Sequence, residues 1–337
     1  MESVETSPLA GRPARGSWVD LGAVAVTLIL LGAAIFLLVG CLQSKNFAQL
    51  TVEGVALGAV YGSLALALVL VYRATHVINF AQGELAMLTT YVAYELGLKG
   101  LSYWEAFAAT LAIAFVLGTA LQVTLIRPVQ NRSVIATVIV TVGLFILIDG
   151  VVNWIWGGTF KSMQAPFANT AFDAGGVSIP HEYVGMVAVV LASAVLVWAL
   201  FRFTKLGLAM RAASLRPAAA ALVGVRVEWM LAIGWGLAAA LGAVAGLMAE
   251  PSQIFLSPTF MQPILVYAFA AAVLGGLESP AGALVGGLLI GVATTLIIGY
   301  VPKIGSELDL PFTFAVLLAV LLVKPSGLFG RRAVRRV

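Results

Sequence analysis

From Val19 onward the chain is a succession of long apolar stretches separated by short polar breaks. Crossing about 30 Å of hydrocarbon takes roughly 20 apolar residues in helical conformation. A window of that size finds ten stretches, at 19–42, 48–72, 80–97, 105–126, 134–156, 183–203, 230–249, 262–277, 282–300 and 307–323. The expected fold is an all-α integral membrane protein with about ten transmembrane helices. Residues 1–18 read as a cytoplasmic N-terminal arm, 19–323 as the transmembrane domain and 324–337 as a basic cytoplasmic tail. The first stretch is longer than a signal-peptide core and lacks an A-x-A-like cleavage pattern, so it reads as a retained helix. The 39 residues of 262–300 are too many for one span, and Gly275-Gly276 with Ser279-Pro280 supplies a turn near their middle. Ser caps free amides there, and Pro needs no donor at the first helical position.

Basic residues orient this layout. With the N-terminus inside, the inner segments hold Arg12, Arg15, Arg73, Arg127, Arg132, Arg202, Lys205, Arg211, Arg216, Arg226, Lys324, Arg331, Arg332, Arg335 and Arg336. The outer segments hold only Lys45, Lys99, Lys161 and Lys303. Positive charge is enriched on the cytoplasmic side, so both termini are expected inside and the number of spans is even. Composition agrees: 61% of residues are hydrophobic and 10% charged, against about 25% charged in soluble domains. Lipid must solvate most of such a chain. The single cysteine, Cys41, excludes an intramolecular disulfide and argues against a cysteine-based metal site. Among the 35 glycines, the pairs Gly58/Gly62, Gly242/Gly246, Gly282/Gly286 and Gly287/Gly291 are four apart, the spacing of close helix crossings in membranes.

No polar stretch is long enough to fold a soluble catalytic domain, and no catalytic or metal-binding set is found. The G-x-x-x-x-G-K-[ST] phosphate loop is absent, and His76 and His181 form no H-E-x-x-H motif. The chain is expected to bind no cofactor and no nucleic acid. Transport remains, driven by an ion gradient or by a separate ATPase.

Two inner segments carry candidate chemistry. In 202–228, Pro217 fits the first turn of a short helix, Ala218, Ala219 and Ala220 favour its interior, and Gly224 fits a left-handed stop. Such a helix suits a lever moved by another protein; with Arg211, Arg216 and Arg226 it equally suits an interfacial helix on anionic lipid. In 72–85, Asn79 and Gln82 have capping-box spacing, and Glu84 in the first turn would favour the helix dipole. Polar groups at membrane depth also face bundle interiors, so Asn79, Gln82 and Glu84 are candidates for a translocation path or gate. Asp149 and Asn153, four apart on one helix face, join them. The longest outer loop, 157–182, is rich in Gly and Pro and is the natural contact for an extracytoplasmic partner.

The stretch LGAVYGSLALALVLVYRATHVINFAQGELAMLTTYVAY (57–94) resembles the signature region of the LivH-type branched-chain amino acid ABC transporter permeases. TVGLFILIDGVVNWIWG (141–157), GLAMRAASLRPAAAALVGV (207–225) and LGGLESPAGALVGGLLIG (274–291) agree with that family in order and spacing. The resemblance covers roughly 48–323. It implies a permease subunit of the bacterial inner membrane that lines the path for branched-chain or related hydrophobic amino acids. The implied partners are a second related permease subunit or second copy, two cytoplasmic ATPase subunits that use ATP, and a periplasmic binding protein. It also implies that 217–224 docks on the ATPase, with Arg211 and Arg216 nearby. The rival reading is an ion-coupled secondary carrier of small organic solutes, for which Glu84 and Asp149 would be the coupling carboxylates.

Overall fold

The computed structural model describes residues 45–130, 132–168, 170–250 and 256–300, with isolated positions between 311 and 329. The first apolar stretch, 19–42, and nearly all of 307–323 lie outside the described residues. The helices are α1 (Lys45–Thr75), α2 (Gln82–Leu98), α3 (Tyr103–Leu121), α4 (Arg127–Gln130), α5 (Val134–Trp156), α6 (His181–Phe203), α7 (Lys205–Leu215), α8 (Pro217–Leu222), α9 (Val227–Ala249), α10 (Met261–Gly275) and α11 (Pro280–Tyr300). A π-helical turn, Gln122–Ile126, continues α3. Among the described residues, six helices are long and apolar enough to cross a membrane, with Met261–Gly275 a shorter apolar one.

Helix α1 is the axis of the bundle. Its 31 residues span about 46 Å at 1.5 Å per residue, and 89% of its most apolar window is buried. It packs on α11, α9, α10 and α6. The α1–α11 crossing is closest where glycine meets glycine: a Cβ added at Gly58 would stand 2.8 Å from the Gly287 carbonyl oxygen, and one added at Gly291 would collide with the Gly58 backbone.

Gly62 departs from the even seam that the Gly58/Gly62 spacing predicts. A Cβ added there would meet Leu284 rather than a glycine, at 3.2 Å from both its Cα and its carbonyl oxygen, which is tight contact and not collision. The constraint at this level comes from the other helix, because a Cβ added at Gly287 would run into the Gly62 backbone. Gly282 and Gly286 lie against the backbone of Gly275 and Ala271, so α11 is held between α1 and α10. Tyr61 and Tyr267 stack at 4.9 Å between α1 and α10. At the rim, only 17% of the apolar window of α6 is buried, and Leu196, Val195 and Trp198 face outward. A bilayer or another subunit must cover such a surface.

Contacts sort the connections to two ends. At one, Ser178 N–H donates to Gln49 Oε1 at 3.0 Å, Lys161 pairs with Leu256, and Phe47 meets Tyr300 at 6.4 Å. The loop between α5 and α6 contains a hairpin here: β1 (Ala171–Ala174) and β2 (Val177–Pro180) pair antiparallel. Gly175 and Gly176 both have positive φ, as a two-residue turn of primed type requires, and Asp173 Oδ1 accepts from Gly176 N–H. At the other end Ser214 Oγ donates to the Arg73 carbonyl, and Arg127 is ion-paired with Glu228. The Leu328 N–H caps the Leu274 carbonyl at 2.7 Å beside the 276–279 turn. Arg73, Arg127, Arg132, Arg202, Lys205, Arg211, Arg216 and Arg226 all belong to this basic end, whereas Lys99 and Lys161 belong to the hairpin end.

Candidate functional site

At the basic end α1 stops at His76, whose φ of 55° lies in the left-handed region that ends helices and that His tolerates better than most residues. The chain then re-enters the bundle, and Asn79, Gln82 and Glu84 are almost fully buried. Asn79 is not the helix cap that its spacing from Gln82 predicts. The cap position belongs to Ala81, without a side-chain bond. Instead Asn79 Oδ1 accepts from Ala81 N–H at 3.1 Å, and its amide donates to Gln82 Oε1 at 3.1 Å. Gln82 Nε2 in turn donates to the Ala238 carbonyl on α9 at 2.9 Å. The capping box fails because Gln82 finds a tertiary acceptor, and burial makes that bond worth more than a turn back to solvent.

The bond depends on small residues of α9. A Cβ at Gly242 would stand 2.7 Å from Gln82 Nε2, and one at Gly246 would stand 2.8 Å from the Ala86 carbonyl oxygen. Ser63 Oγ donates to the Leu241 carbonyl from α1, and Tyr103 Oη to the Leu247 carbonyl from α3. Carbonyls along α9 thus receive hydrogen bonds from three helices. Glu84, in the first turn of α2, accepts from Gln262 Nε2 of α10 at 3.3 Å through Oε1. Asp149 and Asn153 sit together on α5, joined by Asn153 Nδ2 to Asp149 Oδ1 at 3.3 Å. Asp149 is half-buried and Asn153 exposed.

The second group lies between α6 and α9. Thr204 caps α7 by accepting from Gly207 N–H at 3.0 Å, and Met210 and Ala213 anchor α7 in the bundle. Helix α8 begins with Pro217 in its first turn. It ends with Val225 N–H on the Ala220 carbonyl and Gly224 N–H on the Ala221 carbonyl, both at 3.0 Å. With Gly224 at φ 84°, this is a Schellman stop. Arg216, Pro217, Ala218, Ala219, Leu222 and Gly224 are exposed, Arg211 is half-buried, and Ala220 is turned inward at 4% exposure. The outward face of α8 therefore excludes Ala220 and includes Leu222, which is 89% exposed and which the alanine run concealed.

Sequence reasoning did not find Gln262, Ser214 or the ion pair of Arg127 with Glu228. Gln262 lies within an apolar stretch, where a lone polar side chain was the available signal.

A bundle of long apolar helices with polar groups buried at one end and a rigid exposed helix beside them defines a multi-pass membrane protein of the permease class. Residues 50–321 match the family described as branched-chain amino acid transport system / permease component, and the chain belongs to that family. It is 30% identical over 308 residues to the high-affinity branched-chain amino acid transport system permease protein LivH of Salmonella typhimurium, covering 88% of this chain and 99% of the relative. It is 27% identical to BraD of Pseudomonas aeruginosa over 87% of this chain and 98% of that protein. It is 32% identical to a probable LivH of Methanocaldococcus jannaschii over 79% of this chain and 87% of that protein. The chain is a transport permease subunit.

Proposed function

We propose that the chain is the permease subunit of an ATP-driven importer of branched-chain or related hydrophobic amino acids in the bacterial cytoplasmic membrane. The observation that carries this reading is the match, through nearly the whole chain, to permeases named for branched-chain amino acid transport. It works beside a second related permease or a second copy. Two cytoplasmic ATPases grip the exposed face of α8, and a periplasmic binding protein docks on the hairpin end. The positive-inside rule puts the basic end in the cytoplasm. Ten spans are the reading we favour, and its support is that Leu328 lies beside Leu274 while Tyr300 ends a 21-residue helix about 30 Å from Pro280. Asn79, Gln82, Glu84, Asp149 and Asn153 line or gate the path.

Leucine uptake into vesicles carrying the purified permeases is the decisive measurement. The importer requires ATP, both ATPases and the binding protein. Uptake driven by an ion gradient without them would instead establish the secondary carrier. Cysteines placed at Ser162 and Ala218, with Cys41 replaced, should react with an impermeant reagent in spheroplasts only at position 162. Reaction at position 218 alone would invert the topology.

A further inference from the structure

Glu84 is 1% exposed, and only half of its carboxylate is engaged. Oε1 takes the Gln262 amide, whereas Oε2 has no hydrogen-bond partner among the described residues. Nor does any described counter-charge stand nearby. The helices that pack most extensively along α2 are α9, α3, α10 and α5, and none of the four contains a lysine, arginine or histidine. Helix α1 keeps its basic residues, Lys45 and Arg73, at its two ends. The titratable side chain that α5 does carry is another carboxylate, Asp149. A buried carboxylate without a cation or a full set of donors is among the most costly groups a protein can hold. Two turns further along the same face, the hydroxyl of fully buried Tyr91 also lacks a described partner. The unmet polar atoms of α2 thus share one face, about 10 Å apart along the helix.

We propose that Glu84 is the residue that receives the ammonium group of the transported amino acid. This rests on the importer reading above and adds the chemical group that is recognised inside the membrane. An ammonium brings three donors and one positive charge, the complement of a buried carboxylate with one free oxygen. A hard metal ion takes six or more oxygens, which the described residues here do not offer. Gln262 is the positioning residue: its amide fixes Oε1 and leaves Oε2 for the ligand. The Glu84–Gln262 bond joins α2 to α10, so access to the carboxylate comes when those two helices part.

The test compares Glu84→Gln with Glu84→Asp in vesicles containing the complete transporter, with radiolabelled leucine as probe and uptake expressed per assembled complex. Gln keeps the shape and removes the charge; Asp keeps the charge and shortens the arm. The expected result is an uptake at least tenfold lower in Glu84→Gln, with assembly and ATP hydrolysis retained, and a smaller loss in Glu84→Asp. A protonated or merely structural Glu84 gives the opposite order, with Gln close to wild type, and that overturns the assignment. Equal losses in the two variants, or failure of either to assemble, overturn it as well. Absence of ATP-dependent leucine uptake in the wild-type transporter would instead strike the importer reading itself, so the two failures are distinguishable.

Discussion

Two of the connections at the basic end, 76–81 and 216–226, are built in opposite ways. The first is closed by distant parts of the molecule. Gln82 bonds to a carbonyl 156 residues away, and Gly242 and Gly246 leave the space that α2 needs. The second is closed by its own neighbours, with a proline start, a Schellman stop and hydrogen bonds no more than five residues long. A tertiary closure ties a segment to the bundle, so it moves only when helices separate. A local closure makes a rigid piece that can be pushed as a unit, because its internal bonds do not depend on where it sits. The contrast suits a gate at the first break and a lever at the second. Ser214 on the Arg73 carbonyl links the helix before α8 to the helix that leads into the first break.

The largest effect is expected where the tertiary closure is tightest. Gly246→Val puts a branched side chain against the Ala86 carbonyl and Thr90 Oγ1, and overpacking of a rigid backbone contact costs about 1–3 kcal/mol or more. Little monodisperse protein should survive purification in detergent. Wild-type yield and melting temperature would show that the α2–α9 crossing is not close. Gln82→Leu comes next. It frees the Ala238 carbonyl and the Asn79 amide inside the bundle, at about 1–3 kcal/mol for the groups left unpaired. Folding should persist with a melting temperature several degrees lower, and an unchanged melting curve would break the tertiary reading of the first connection.

The same division explains what could be read from the sequence. Eight of the apolar stretches have a described helix at their place, with ends within three residues in most cases, because membrane thickness imposes a length on each stretch separately. Pro217 and Gly224 were legible because proline and glycine act on their own dihedrals. The partner of Gln82 was not, since nothing local marks Ala238 as an acceptor. Glycine spacing shows the same limit. It treats Gly58 and Gly62 as equals, whereas the facing residues, Gly287 for one and Leu284 for the other, make the two contacts differ. The α3–α9 crossing was missed for a related reason. Gly118 and Gly236 meet Ala239 and Thr119, but neither belongs to a Gly-x-x-x-Gly pair. The hairpin at 171–180 is hidden in the sequence because four-residue strands are too short to show a period, although Gly175-Gly176 carries the turn signal.

A smaller effect on the fold, with a large one on function, is expected at the lever. Gly224→Val forces a β-branched residue into the left-handed region, at roughly 1–2 kcal/mol, and nothing described lies within 4 Å of the added Cβ to compound the strain. The bundle should melt within a few degrees of wild type, while α8 is mis-aimed. Binding-protein-stimulated ATP hydrolysis and uptake should fall at least tenfold. A variant with normal coupling would mean that the orientation of α8 does not matter to the ATPase.

The smallest change to the fold gives the finest test, because adjacent alanines of α8 face opposite ways. Ala219 is exposed and Ala220 is 4% exposed. Ala219→Glu adds a charge on the outer face, where water solvates it in the free permease and a docked ATPase would have to strip that water away. Ala220→Glu forces the same charge between α8 and the bundle, out of reach of bulk water. A lever gripped on its outer face predicts that Ala219→Glu leaves the melting temperature within about a degree and weakens ATPase binding, read by co-purification. Ala220→Glu should lower the melting temperature before any partner is added, by several degrees for a charge left unpaired on burial. A helix lying on lipid predicts otherwise: Ala219→Glu would then alter association with anionic vesicles and leave the ATPase bound. If both variants kept their melting temperatures and their ATPase, the inward and outward faces of α8 would be energetically alike. The local rigidity of the second connection would then have no bearing on what drives the first.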